Sequence, residues 1–427
     1  MHPKHTQPDP AGAPHGPLHG VRVIDLSRVL AGPFATMLMG DLGADIVKVE
    51  APVGDDTRRW GPPWVAGESA YYTCTNRNKR GIVLDFRLAA AREALKRLVQ
   101  DADVVIENFR VGTMEKWGLG YEEVLRPLNP RLVYCSITGY GRSGPAAHLP
   151  GYDPIIEAVG GFMAINGEEG GRPLKVGVAV IDLITGCQAA MAINAALLHR
   201  DRTGEGQRVD LSLFESALSA LANQASAYLL GGEIHPRLGN AHPHIVPTDS
   251  YETRTGPLMV CVGNDRQFGR LCDLLGAPEV ASDERFANNR QRVTHRRELG
   301  AVLSALFAEV DAEAFTERCN QAGVPVAPVL EIDQVFEHPQ VEARDMVIEF
   351  EHPTVGPMRQ VGFPIKFGST PAAVRYPPPL HGQHTAEVLA EIGLTPADVA
   401  PVDAAASDDA AASDAAIEAN GEPACVG

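Results

Sequence analysis

Two carboxylates and a histidine-rich loop are the residues of this chain best suited to covalent or proton-transfer chemistry. Asp182 lies in Val176-Gly177-Val178-Ala179-Val180-Ile181-Asp182-Leu183-Ile184-Thr185-Gly186, an otherwise apolar run in which an unpaired carboxylate is costly to bury. The run turns from strand-like to helical there. Asp182 therefore reads either as a helix N-cap or as a nucleophile presented at a helix start, with glycines that let a ligand approach. Asp153, in Gly151-Tyr152-Asp153-Pro154, reads on its own as a turn or cap residue. Beside Asp182 it would complete a pair in which one carboxylate attacks and the other orients or moves a proton.

Two further motifs point to chemistry less directly. His235, His242 and His244 cluster around Gly239-Asn240, but a zinc site wants a further ligand at fixed helical or strand spacing, so they read as polar loop groups near an anionic substrate and no metal is expected. Gly139-Tyr140-Gly141-Arg142-Ser143-Gly144 spells G-x-G-x-x-G. A dinucleotide site needs that turn to open a helix, and Pro145 and Pro150 interrupt any helix here. A loop is the expected reading.

These residues need a scaffold, and the chain is long enough for two or three domains at 427 residues. Five short β-branched runs (Val21 to Leu26, Asp45 to Glu50, Gly81 to Phe86, Val104 to Phe109, Leu132 to Ile137) alternate with helical patterns such as Ala89 to Val99. That alternation predicts parallel βαβ units and an open, Rossmann-like α/β sheet. Long helices follow, Leu183 to His199 and Ser212 to Leu230, separated by a strand from Arg208 to Leu211. A Gly/His/Pro-rich linker from Gly231 to Pro247 precedes a smaller mixed α/β domain, then a hairpin around Pro353 to Pro357 and a helix from Thr385 to Ile392.

Composition bounds the partners. Hydrophobic residues make up 44% of the chain, and the net charge is -17, which lacks the basic footprint that nucleic acid or anionic membranes require. An anionic ligand must be met by local basic groups. Seven scattered cysteines with no C-x-x-C pair read as reduced thiols. No secretory signal and no apolar run of about 18 residues is expected, so the expected location is cytoplasmic. Residues 1–17 read as a disordered leader, and 399–427 as an acidic Ala/Asp tail.

Leu26-Ser27-Arg28-Val29-Leu30-Ala31-Gly32-Pro33, Leu42-Gly43-Ala44-Asp45-Ile46-Val47-Lys48-Val49-Glu50, Asn78-Lys79-Arg80, Glu107-Asn108-Phe109-Arg110, Gly139-Tyr140-Gly141 and Thr203-Gly204-Glu205-Gly206-Gln207 occur in that order. The series resembles the family III CoA-transferases, which also include α-methylacyl-CoA racemases, from about Leu18 to about Leu394. The resemblance implies an interlocked homodimer. Each chain would hold a large Rossmann-like domain (18–225, closed by a return segment 336–398) and a small α/β domain (226–335). It also implies that Asp182 is the nucleophile, carrying first an acyl anhydride and then a CoA thioester, with Asp153 and Tyr152 assisting. Val29, Leu30, Ala31, Leu84, Arg87, Asn108, Phe109, Thr113 and Lys116 would contact CoA. By spacing alone Arg87 and Lys116 would read as ordinary solvated charges. The substrates are then an acyl-CoA and a small carboxylic acid, with no prosthetic group.

Departures narrow the branch. Formyl-CoA transferases carry glutamine where this chain has Leu30, and a glycine-rich loop where it has Gly239-Asn240-Ala241-His242-Pro243-His244. The stretch from Arg237 to Pro247, with His352-Pro353-Thr354-Val355-Gly356, resembles the succinyl-CoA:glutarate branch. That implies dicarboxylates, with Arg28, His242 and His244 as candidates for the distal carboxylate. The racemase branch has a histidine where this chain has Tyr152, a poorer proton acceptor at neutral pH. A racemase or a non-catalytic CoA-binding protein is the alternative.

Overall fold

The computed structural model describes residues 16–401. The expected leader, all but its last two residues, and the expected tail from 402 onward lie outside the described residues. The chain forms two compact units. The first is built from the described parts of Met1–Gly160, Gly177–Leu221 and Glu342–Gly427; the second from Gly161–Val176 and Ala222–Val341.

The first unit is organised on six strands: β1 (Arg22–Asp25), β2 (Asp45–Glu50), β3 (Lys79–Val83), β4 (Val104–Glu107), β5 (Val133–Thr138) and β6 (Arg208–Ser212). They form one parallel sheet in the order β3-β2-β1-β4-β5-β6. Their Val and Ile content suits strands covered on both faces, as parallel sheets are. Helix α1 (Ala31–Asp41) follows β1, and α2 (Ala89–Gln100) buries Ala91, Ala94, Leu95, Leu98 and Val99. That is one helical stripe, and it packs with Ile24, Val47, Ile82 and Val105 of the sheet.

Helices α3 (Asp153–Val159) and α4 (Val180–Thr203) come next. Gly186 lets α4 approach α1, because a Cβ there would lie 2.7 Å from the Ala31 carbonyl oxygen. Sequence reasoning allowed no apolar run of spanning length, and α4 corrects it: with mean hydropathy 1.5 over 18 of its residues, it is long and apolar enough to cross a membrane by length and composition. Its buried residues, among them Ile181, Thr185, Ala189, Ile193 and Ala196, recur every three or four positions against the protein's own core.

The expected helix from Ser212 to Leu230 is two helices, α5 (Leu213–Ala220) and α6 (Ala222–Gly231). Ala222 has a φ of 45°, which no continuous helix tolerates. The break coincides with the passage from the first unit to the second. The second unit holds the antiparallel strands β7 (Thr248–Tyr251), β8 (Leu258–Cys261) and β9 (Val326–Pro328), in the order β9-β8-β7. Val260, Phe268, Leu271, Leu303, Phe307 and Phe315 form its core. Sequence reasoning drew no boundary at Gly161–Val176. This stretch joins the second unit by bonds from Arg237 to the Gly171 carbonyl (2.7 Å) and from the Gly239 N–H to that of Gly167 (3.0 Å). The chain then returns to the first unit with a hairpin, Val347–His352 and Gly356–Val361, and the helix Thr385–Glu391.

Candidate active site

The site grows from the start of α4. The residue preceding that helix is Ala179, which has no side-chain acceptor, so the first N–H groups need an outside partner. Asp153 supplies it: its Oδ1 accepts from the N–H of Ile181 at 2.8 Å and from that of Asp182 at 3.1 Å. A carboxylate there also meets the positive end of the helix dipole. Asp153 reaches this position because Gly139 and Gly151 touch backbone to backbone, where a Cβ on Gly139 would lie 2.8 Å from the Gly151 Cα. The sequence allowed Asp182 to be the cap. The structure gives the capping to Asp153 and leaves Asp182 in the first helical turn without that task.

Asp182 is buried, with 1% of its surface exposed, and its Oδ1 has no hydrogen-bond partner among the described residues. Burial first, and then the negative charge of Asp153, push its carboxyl up to about 8. A group so held is protonated at neutral pH and becomes a strong nucleophile once ionised. One turn further along α4, the fully buried Thr185 also has a hydroxyl without a partner.

Val29 and Leu30 are buried and pack against Tyr71, Ala179 and Leu183, so the loop after β1 reaches the residues that flank Asp182. This loop is clamped from several sides. Asn108 accepts from the Arg28 N–H at 2.9 Å and donates to the Arg28 carbonyl at 2.8 Å. Lys48, wholly buried, donates to the Ser27 carbonyl at 3.0 Å and to Asp55 at 2.9 Å. Asp55 in turn accepts from the Val29 N–H at 3.3 Å, where Val29 holds a φ of 68°. Holding a β-branched residue in the left-handed region costs energy that this clamp supplies.

Tyr71 was not legible as a site residue. Ser69 starts its short helix by accepting from the Tyr71 N–H at 3.1 Å, and Trp60 meets its ring edge-on at 5.0 Å. Burial and then the charge of Asp182 push its phenol up to about 12, so it keeps its proton beside the carboxylates. No spacing rule in Ser69-Ala70-Tyr71-Tyr72 announces this, because the meeting is tertiary.

The other expected CoA contacts divide into two kinds. Ala31 is the first residue of α1, and Leu84 and Phe109 sit in the sheet's core cluster, with Trp117 edge-on to Phe109 at 5.2 Å. Arg87 is largely exposed and paired with Asp85 at 2.8 Å. Thr113 and Lys116 begin and end a single helical turn, with Lys116 exposed. Tyr152, 37% exposed, precedes α3, and Arg28 has Asp56 at 3.7 Å.

His242 and His244 belong to the second unit, whereas Arg28 belongs to the first. Arg296 donates to the carbonyls of His242 and Pro243, and buried Arg292 to that of Val246 at 2.6 Å, fixing the loop. The Nδ1 of His242 accepts from the N–H groups of His244 and Ile245, both at 3.1 Å. The neutral ring therefore carries its proton on Nε2, as a donor. Burial, His244 and Arg296 lower its proton affinity and keep it neutral. Glu233, His235 and His244 come within 4.8 Å of one another. Among the described residues neither ring of this trio donates to a carbonyl behind it, the support that metal-binding histidines normally have.

The first unit thus holds a buried, partly unpaired carboxylate at the start of α4, near a clamped loop that follows β1 of the parallel sheet. The chain belongs to CoA-transferase family III, whose model matches residues 18–385, and it is a CoA-transferase. It is 46% identical over 383 residues, 88% of this chain and 96% of the relative, to a succinate–glutarate CoA-transferase of Agrobacterium fabrum. It is 42% identical over 377 residues, 88% of this chain and 86% of the relative, to the succinyl-CoA:glutarate CoA-transferase of Homo sapiens. A CaiB/BaiF family protein from Brucella suis has a similar crystal structure, with a TM-score of 0.80 at 43% identity, covering 88% of this chain and all of that one.

Proposed function

We propose that this enzyme moves CoA from an acyl-CoA donor, succinyl-CoA foremost, to a free dicarboxylate such as glutarate, through covalent intermediates on Asp182. The observation that carries the proposal is the buried Asp182 carboxyl, with an unpartnered oxygen at a helix start that Asp153 caps. Ionised Asp182 attacks the thioester carbonyl and expels CoA thiolate, leaving an acyl anhydride. The thiolate then attacks the aspartyl carbonyl, releases the donor acid and leaves an aspartyl-CoA thioester. The acceptor acid reverses both steps. Thioester energy is conserved because the apolar surroundings keep water from the anhydride. The chemistry calls for no prosthetic group.

Asp153 holds α4 in place, Tyr71 and Tyr152 border the acyl group, and the loop from Arg28 to Ala31 receives CoA together with Leu84, Asn108, Phe109 and Thr113. Arg87 and Lys116 meet its phosphates. Arg28 in the first unit, and His242 through Nε2–H with His244 in the second, are each candidates for the distal carboxylate of the acid. The names of the relatives from Agrobacterium fabrum and Homo sapiens support this substrate class. The sheet order supports a Rossmann-like fold. Exposed Leu229, Leu230 and Ile234 support burial against a second subunit in an interlocked homodimer. The six cysteines among the described residues are free, which supports a reducing compartment such as the cytoplasm.

The test offers succinyl-CoA with a panel of free acids and follows acyl-CoA exchange by mass spectrometry. Glutarate and its four- to six-carbon dicarboxylate neighbours should exchange at least about tenfold faster than monocarboxylates of equal length, the value of one charge-assisted contact. Equal rates remove the dicarboxylate assignment. Rapid deuterium uptake by a chiral 2-methylacyl-CoA, without exchange onto any acid, replaces transfer by racemisation.

A further inference from the structure

Four helical threonines share a bond that Thr185 lacks among the described residues. Thr36, Thr203, Thr294 and Thr316 each donate to the carbonyl four residues back, at 3.2, 3.0, 3.1 and 2.8 Å. That local bond is the usual rest position of a threonine hydroxyl in a helix. Thr185 sits inside α4 with the carbonyl of Ile181 four residues back, yet its hydroxyl has no partner among the described residues. The side chain is fully buried, so no bulk water offsets the loss.

The second orphan lies on the same helix face. Asp182 precedes Thr185 by three residues, a spacing that makes side chains neighbours at about 5–6 Å between Cβ atoms, and its Oδ1 is likewise buried and unpartnered. Two complementary groups, a hydroxyl donor and a carboxyl oxygen, are thus left open side by side. Buried polar groups are rarely left so without a functional reason. Resting on the reading of Asp182 as nucleophile, we infer that Thr185 is a further catalytic residue, whose hydroxyl donates to the aspartyl oxygen of acylated Asp182 as that oxygen gains charge.

The step at issue is the second one. CoA thiolate adds to the aspartyl carbonyl of the anhydride, the carbon becomes tetrahedral, and the carbonyl π electrons move onto its oxygen. Collapse of this intermediate breaks the bond to the donor carboxylate and restores the carbonyl as the CoA thioester. A hydroxyl aimed at that oxygen stabilises the tetrahedral stage more than the ground state, and it acts strongly because the site is dry. The backbone N–H groups of Ile181 and Asp182 cannot serve, because Asp153 already occupies them.

The experiment compares Thr185→Val, which keeps the branched shape and removes the hydroxyl, with Thr185→Ser, which keeps the hydroxyl. Thr185→Val should lower kcat by about 10- to 100-fold, near the lower end of what one such donor contributes. KM for succinyl-CoA should stay within about twofold and the melting temperature should not fall. Hydroxylamine trapping during turnover should find the anhydride accumulating and the aspartyl-CoA thioester depleted. Thr185→Ser should restore most of kcat. An unchanged kcat in Thr185→Val, or an equal loss in Thr185→Ser, overturns the proposal. Asp182→Ala run in parallel separates the two readings. If it is inactive while Thr185→Val is normal, only the role of Thr185 falls; if it is active, the nucleophile reading falls and takes Thr185 with it.

Discussion

The first unit buries aspartates in two opposite ways. Below the loop that follows β1, Asp25 accepts from the Ser27 N–H at 2.9 Å, from the Thr36 hydroxyl at 2.6 Å, from the Ser27 hydroxyl and from Lys79 at 3.1 Å. Asp55 accepts from Lys48, from Val29 and from both polar groups of Thr57. Burial works most strongly to raise these carboxyls, but Lys79 and Lys48, together with the hydrogen bonds from Ser27, Thr36 and Thr57, outweigh it and hold Asp25 and Asp55 below their ordinary range. At the start of α4 Asp182 has, among the described residues, no cation beside it and an open oxygen, and burial and then Asp153 raise it to about 8. Depth alone therefore does not mark a reactive group. A buried charge with both oxygens partnered builds the frame, and one with an oxygen left open is available to substrate.

The largest effect expected from this contrast is on turnover. Asp182→Ala should lose at least about 10⁴-fold in exchange, since no neighbour replaces a covalent nucleophile. Hydroxylamine or borohydride trapping should label the peptide containing Asp182 only in the native enzyme. Full activity in the variant would erase the distinction between the two kinds of aspartate.

Next in size is the frame. Lys48→Met leaves Asp55 buried without its cation and should cost about 3–5 kcal/mol in stability, measured by urea unfolding. A loss below about 1 kcal/mol would mean that the pair is replaceable.

The smallest effect sharpens the comparison through pH. Between about pH 4 and pH 8 the folded chain keeps a proton on Asp182 that the unfolded chain has released, so this group lowers stability as pH rises across that window. Asparagine has no such proton. Asp182→Asn should therefore unfold later than the native enzyme at pH 8 and match it near pH 4. In the native enzyme kcat/KM should rise with pH until about 8, as the free carboxyl ionises. A profile flat from pH 5 to pH 9 contradicts the raised carboxyl.

The sequence made local features legible and left their meetings unseen. The parallel strands could be read because β-branched runs alternate with a helical stripe such as that of α2. Asp182 could be read because a charge in an apolar run is conspicuous. The capping of α4 by Asp153, 29 residues earlier, could not, because the acceptor lies outside the helix it caps. Tyr71 stayed hidden for the same reason. The break at Ala222 has no local signal, since alanine favours helix and its positive φ is imposed by the surroundings.

The order in which the first unit receives its parts has a consequence for synthesis. Arg80 of β3 pairs with Asp45, Glu387 and Glu391, and Asn78 accepts from the N–H groups of Arg375 and Tyr376 and donates to the Ala373 carbonyl. All of these partners except Asp45 leave the ribosome after the second unit. A nascent chain that ends at Val341 therefore holds β1 through β6 with basic and amide groups whose counterparts are still untranslated, while the second unit already has every residue it needs. The unit that begins first is finished last. A stop codon before Glu342 should leave the sheet edge at β3 without these partners and send the product to proteolysis.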